Sequence, residues 1–174
     1  MIPHVLVRSG REIPSQDTSA VSPDQEETVL HVKLPILMKV WNLIEDYTGF
    51  LWKATSFIRS SNAPSHNGNA LDIAPSIKPS DSSEYSLSRN SDPVLYKREP
   101  LMRALQAIAK EVHPDYPYDI GIFVESDHIH IGLFIPEDRT APQIRIFKWG
   151  ALKETYGDTR ARAALPLMYA MPSA

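Results

Sequence analysis

The chain contains no cysteine. Disulfides, thiolate nucleophiles, iron–sulfur clusters and cysteine-type zinc sites are excluded together, so a metal here must be held by His, Asp or Glu. A basic surplus is missing too: 18 Lys and Arg stand against 21 Asp and Glu, for a formal net charge of −3. Phosphate neutralisation needs clustered cations in excess, so no nucleic-acid partner is expected. No apolar run approaches the roughly 20 residues that cross a bilayer, and no membrane span is expected. The opening Met1-Ile2-Pro3-His4 lacks a basic stretch followed by an apolar one and reads as no secretory signal peptide. Glycine is scarce, 7 residues against 15 prolines. The prolines are spread along the chain, which reads as rigid corners between short elements.

What is present fits one domain of 174 residues, 43% hydrophobic and 22% charged, with an arm and a tail. Residues 2–7 read as a short strand. Residues 8–27 are rich in Ser, Asp and Glu and read as an extended arm that cannot build a core of its own. Ile36, Leu37, Val40, Trp41 and Ile44 paint one face of a helix that Pro35 opens and Gly49 ends. A strand is expected within residues 50–58, a loop over 60–69 and a short core strand over 71–75. Residues 76–100 form a long polar excursion. A second amphipathic helix carries Leu101, Met102, Leu105, Ile108, Ala109 and Val112 and stops at His113-Pro114. Two strands, near 120–124 and 128–135, flank a tight turn, and another follows at 144–149. The tail is expected to hold a helical turn or two. The fold class is therefore α+β, a small antiparallel sheet packed with helices. Its divisions are an N-terminal arm over 1–27, a domain over 28–150 and a tail over 151–174.

Polar residues that do not suit a core gather at two places. One is Ser65-His66-Asn67-Gly68-Asn69-Ala70-Leu71-Asp72-Ile73, the other Glu125-Ser126-Asp127-His128-Ile129-His130-Ile131-Gly132. In a strand, His128 and His130 share one face while Ile129 and Ile131 take the other. Taken alone, His-x-His fits the solvent face of an edge strand. Neutral imidazole is also the commonest metal ligand. His66 and Asp72 lie six apart, with small residues between them that let a loop His and a strand Asp turn toward one point. Two imidazoles and one carboxylate leave a fourth zinc position open, as a catalytic site requires.

The first segment, Ser65-His66 through Gly68 and Ala70 to Asp72-Ile73, resembles the first zinc motif of the D-Ala-D-Ala metallopeptidase group. That group includes D,D-carboxypeptidases and dipeptidases, L-Ala-D-Glu endopeptidases of phage endolysins, penicillin-insensitive murein endopeptidases and the hedgehog signalling domain. The resemblance covers roughly residues 35–135 and implies a hedgehog-like fold. It implies Zn2+ on His66, Asp72 and a third ligand from the later strand. Two registers fit that strand, Asp127-x-x-His130 and Glu125-x-x-His128. The comparison with the murein endopeptidases also favours His130, which is taken as the ligand. His128 then stands beside the metal to stabilise the transition state, and Asp127, with Glu125 in reserve, is the general base. The family's upstream Arg is matched by Arg59 within Phe57-Ile58-Arg59. The aromatic residue that usually follows the last ligand is replaced by Ile131.

The resemblance implies a zinc-dependent peptidase acting on peptidoglycan peptides, phage-encoded, either virion-associated or an endolysin. It would reside in the virion or host cytoplasm until released to the periplasm and cell wall. Arg89, Lys97 and Arg98 are candidates to pair substrate carboxylates, with a solvated charged loop as their simpler reading. Residues 1–27 and 151–174 suit attachment to other virion proteins. The alternative is a structural tail or capsid subunit that keeps the fold, with or without zinc, and does not hydrolyse.

Overall fold

A computed structural model describes residues 1–49, 51–59, 66–76, 117–124, 128–135, 143–148 and 169–172. Strands β1 (Val5–Arg8) and β2 (Arg11–Pro14) pair antiparallel. Ser9 and Gly10 between them both take positive φ, 53° and 72°, the conformation that a two-residue hairpin turn needs. The strand expected over residues 2–7 thus lies in its own hairpin. The expected arm is docked as well: Ile2, Leu6, Ile13 and Val21 are buried in the same cluster as the main helix. Polar composition hid this, because four well-spaced apolar side chains suffice once a larger core lies beneath them.

The chain then enters a helical run: a turn α1 (Glu26–Thr28), a π-helical stretch Val29–Lys33, and α2 (Leu34–Thr48). Pro35 sits in the first turn of α2, and Gly49 closes it in the left-handed region at φ 71°, as helix-end chemistry favours. All five residues of the expected apolar face are buried, joined by Leu34 and Leu43.

Strands β3 (Trp52–Ile58), β4 (Asn67–Pro75), β5 (Asp119–Val124), β6 (Ile129–Phe134), β7 (Gln143–Lys148) and β8 (Tyr169–Pro172) form one sheet of order β3-β4-β6-β5-β7-β8. Three differences from the sequence reading stand out. β4 starts at Asn67, inside the expected loop. The sheet is mixed, because β7 runs parallel to β5; apolar periodicity carries no strand direction. Residues 169–172, expected as helical tail, add an antiparallel edge strand to β7. The expected helix over 101–112 lies outside the described residues. Mixed helix and strand content with antiparallel pairing is compatible with α+β.

Alternation along the central strands separates two faces. Leu71 and Ile73 of β4, Ile129, Ile131 and Leu133 of β6, and Ile120 and Ile122 of β5 share a buried cluster with Leu37, Val40, Trp41 and Ile44 of α2. The opposite phase carries Asp72, His130 and Phe123, which are register partners across β4, β6 and β5. One face makes the core and the other carries the polar chemistry. Among the described residues no helix is long and apolar enough to cross a membrane.

Candidate metal centre

His66 ends the connection from β3 to β4, and its position is fixed by backbone pairing: Arg59 N donates to His66 O at 3.1 Å. The edge of β3 is braced from outside, where Ile58 O accepts from Gln16 N at 2.9 Å and Ile58 N donates to Ser15 Oγ at 3.2 Å. Two residues after His66 the chain takes φ 83° at Gly68. A Cβ there would meet the Val29 side chain at 2.7 Å, so both the backbone conformation and the close approach to the π-helical stretch call for glycine. Where the small residues of the first motif are expected to make a tight turn, Gly68 instead lies within β4 and kinks the start of that strand.

From Gly68 the alternation of β4 brings Asp72 onto the polar face, directly opposite His130. Ligand atoms of His66, Asp72 and His130 all lie within 4.8 Å of one another. His66 is 1% exposed and Asp72 5%, so the group is interior and not a surface cluster. His130 Nδ1 hydrogen-bonds Asp72 Oδ1 at 2.8 Å. Around the same carboxylate, His66 Nε2 is 3.6 Å and Arg59 Nη2 3.8 Å from Oδ2, and His128 Nε2 is 3.8 Å from Oδ1. The structure thus brings together five of the expected site residues: His66, Asp72, His128, His130 and Arg59. Glu125 and Asp127 lie outside the described residues, as do Arg89, Lys97 and Arg98.

The electrostatics follow from burial and crowding of cationic groups. Burial pushes the His66 imidazole down to about 4; Asp72 opposes that shift, while His130 and Arg59 add to it. For Asp72, burial works to raise the pKa. The His130 hydrogen bond and the charges of His130, His66 and His128 outweigh it and hold the carboxyl below its usual range. Near neutral pH the cluster therefore offers a carboxylate and, at His66, a neutral imidazole with a free lone pair.

That donor set fits a divalent metal. Two nitrogens and one carboxylate oxygen make an open three-ligand site. Ligands about 2.0–2.1 Å from a tetrahedral zinc sit roughly 3.3 Å apart; here His130 is 2.8 Å from Asp72 Oδ1 and His66 3.6 Å from Oδ2, and the three ligand atoms lie within 4.8 Å of one another. Among the described residues, His66 Nδ1 and Arg59 Nε are also buried with no hydrogen-bond partner, and orphaned polar atoms of this kind are rare in a purely structural interior.

Sequence reasoning missed Phe123. Its ring stands edge-on to His130, centroids 5.3 Å apart at 76°. The signal was present in Ile120-Gly121-Ile122-Phe123, whose alternation places Gly121 and Phe123 on the face opposite the core isoleucines. Tyr118, just before β5, packs on the core, and the Lys33 ammonium lies 5.7 Å from its ring.

No family model matches the chain, and searches of curated proteins and of solved structures find no match. Fold and site together are compatible with an α+β class and present a largely buried His–Asp–His group that could hold a metal ion.

Proposed function

We propose that this protein is a zinc-dependent peptidoglycan peptidase of hedgehog/D-Ala-D-Ala-peptidase-like fold, hydrolysing peptide bonds of murein stem or cross-link peptides. Within this reading it is encoded by a phage and acts from the virion or as an endolysin. The observation that carries the proposal is the convergence of His66, Asp72 and His130 from two separate segments onto one interior point. These are the three positions assigned as ligands from the motif.

Bound zinc supplies a Lewis acid toward water and toward a peptide carbonyl. The remaining work falls to side chains. Asp72 and the two imidazoles hold the ion, and Gly68 with Arg59 N sets the loop that presents His66. Arg59 and His128 bring N–H groups to either side of the Asp72 carboxylate. They are placed to receive a carbonyl oxygen that gains negative charge. A proton acceptor completes the set, and Asp127, with Glu125 in reserve, takes that role from the sequence. Contacts to other virion proteins through residues 1–27 would use the outer side of the hairpin, where Val5 and Val7 are exposed. Leu6 and Ile13 are already buried inside.

The test is release of new amino groups from purified peptidoglycan by the zinc-loaded chain. Asp127→Ala is expected to keep zinc and fold and lower that rate by about 100-fold or more, the low end for loss of a general base. If Asp127→Ala leaves the rate unchanged and Glu125→Ala lowers it, the base is Glu125. A chain that binds zinc and releases nothing from several wall types would favour the non-hydrolytic virion subunit.

A further inference from the structure

We infer that Phe123 is a positioning residue for the metal centre, setting the ring orientation of His130 through an aromatic clamp. The inference rests on the metal-binding reading of His66, Asp72 and His130. Among the described residues the His130 ring makes one hydrogen bond, at its Nδ1 to Asp72, and a single bond leaves the imidazole free to pivot about it. Two rings remove that freedom. His66 stands edge-on to His130 on one contact, with centroids 4.9 Å apart at 74°. Phe123 stands edge-on at a second, 5.3 Å and 76°. Edge-to-face pairs at these separations have a preferred geometry, so they orient as well as fill space.

Phe123 is itself held. It is 6% exposed and is the register partner of His130 across β5 and β6. Its ring leans over Gly121, where an added Cβ would meet Phe123 at 2.8 Å and Phe134 at 2.7 Å. Gly132, opposite Gly121 in the sheet, is similarly covered: a Cβ there would lie 3.2 Å from Phe134 and 3.4 Å from His130 Nε2. The glycine pair is thus the floor on which Phe134, Phe123 and His130 lie side by side. Neither glycine takes a positive φ, so their role is to leave room and not to make a turn. Among the described residues the support of this ligand ring beyond Asp72 is carbon and not a second hydrogen bond, which departs from the usual polar support of ligating histidines.

The test uses the full chain, two disrupting variants and a third, Phe123→Tyr, as the control. Phe123→Leu keeps a buried apolar side chain at that position but removes the ring. Gly121→Ala keeps the ring but pushes it from its seat. Zinc affinity is read by competition with a chromophoric chelator, and the His130 ring-proton shifts of the metal-free protein are read by NMR. Expected for both variants are displaced His130 signals and zinc affinity lower by about tenfold or more, the low end for loss of support behind a ligand. The metal-free melting temperature of Gly121→Ala, which keeps every core side chain, should stay within a few degrees of the parent. Phe123→Tyr, which retains the ring, should restore the affinity. If Phe123→Leu and Gly121→Ala bind zinc within twofold of the parent, the positioning role is overturned while the metal reading stands. If the parent chain itself binds no zinc, the metal reading fails and the inference falls with it. The His130 shifts then still report whether Phe123 orients the ring.

Discussion

Two buried polar regions lie at opposite ends of β3, and they are built by opposite rules. At the Trp52 end, Arg11 of the hairpin lies 3.3 Å above the Trp41 ring and pairs with Glu45 at 2.7 Å. It also donates to Asn42 Oδ1 and to Trp52 O. Trp41 Nε1 donates to the same carbonyl at 2.8 Å, Glu45 accepts from Trp52 N at 2.9 Å, and Trp52 Nε1 donates to Thr48 Oγ1 at 3.0 Å. At the Ile58 end, four cationic or potentially cationic groups surround the Asp72 carboxylate, His130 in hydrogen-bond contact and the other three at 3.6–3.8 Å. Among the described residues, His66 Nδ1 and Arg59 Nε have no hydrogen-bond partner there. A satisfied network holds a hairpin, a helix and a strand in place, while an unsatisfied one keeps donors ready for something that is not protein.

The contrast breaks most sharply on metal binding. The parent chain, prepared without chelator, is expected to carry about one zinc, in line with three-ligand sites. His66→Ala or Asp72→Ala should abolish it, and Glu45→Ala at the other end should leave it intact, as metal analysis after gel filtration can check. His130→Ala should lose the metal, whereas His128→Ala should keep it and lose hydrolytic rate. The reverse pattern would restore the Glu125-x-x-His128 register.

Next in size is the effect on stability at the satisfied end. Glu45→Ala removes the partner of Arg11 and the acceptor of Trp52 N together, leaving a guanidinium over Trp41 without its carboxylate. Breaking one side of such a largely buried pair costs about 2–3 kcal/mol after discounting for partial exposure, roughly 5–10 °C in melting temperature for a chain of this size. Equal loss of stability on deleting Asp72 in the metal-free protein would erase the distinction between the two ends.

Legibility in the sequence followed the same division. The polar face of β4 and β6 could be read because a period of two, small residues and three unusual ligand-type side chains coincide, so His66, Asp72 and His130 converge as assigned. The helix over 34–48 was equally readable from its apolar stripe and end residues. The hairpin was not, since Leu6, Ile13 and Val21 are thinly spread among polar neighbours and gain their meaning from Trp41 and Trp52, twenty or more residues away. Ser9-Gly10 was the available signal. The Arg11–Trp41–Glu45 contact joins residues with no shared local pattern, and strand direction at β7 depends on a connection whose path periodicity does not encode. Phe123 was passed over because an aromatic in an apolar strand reads as core until its phase is compared with that of the histidines.

Acid should separate the ends as well. His66 has its folded pKa depressed to about 4 against an ordinary 6.5, so the unfolded chain binds the proton first. Stability from His66 is fully present above about pH 6.5 and is lost as pH falls toward 4. The lowered Asp72 acts in the same sense at lower pH: its contribution holds above the unfolded carboxyl value and is lost as pH falls through the folded one. The metal-free protein is therefore expected to melt several degrees lower at pH 4.5 than at pH 7. A flat profile over that window would mean that His66 is protonated in the folded state.

The smallest effect is the most discriminating, because its sign is opposite at the two ends. His66 is buried and neutral near pH 7, and its Nδ1 has no hydrogen-bond partner among the described residues. Replacing it by leucine, a side chain of comparable size, removes that desolvated polar atom. It gives up the edge-on ring contact with His130, but no strong hydrogen bond to Asp72: His66 Nε2 stands 3.6 Å from Asp72, beyond a good hydrogen bond, and Asp72 keeps His130. An unsatisfied buried donor or acceptor costs about 1–3 kcal/mol, and apolar replacement of similar shape is often neutral or stabilising. His66→Leu is expected to raise the metal-free melting temperature at pH 7 by about 2–4 °C, equivalent to roughly 1 kcal/mol. It should also flatten the acid dependence between pH 6.5 and 4 and abolish zinc binding. In the zinc-loaded state the order reverses, because only the parent gains the ion's contribution. Differential scanning with and without added zinc measures all three. A His66→Leu chain less stable than the parent without metal would mean that the imidazole is held by the fold for the fold's own sake.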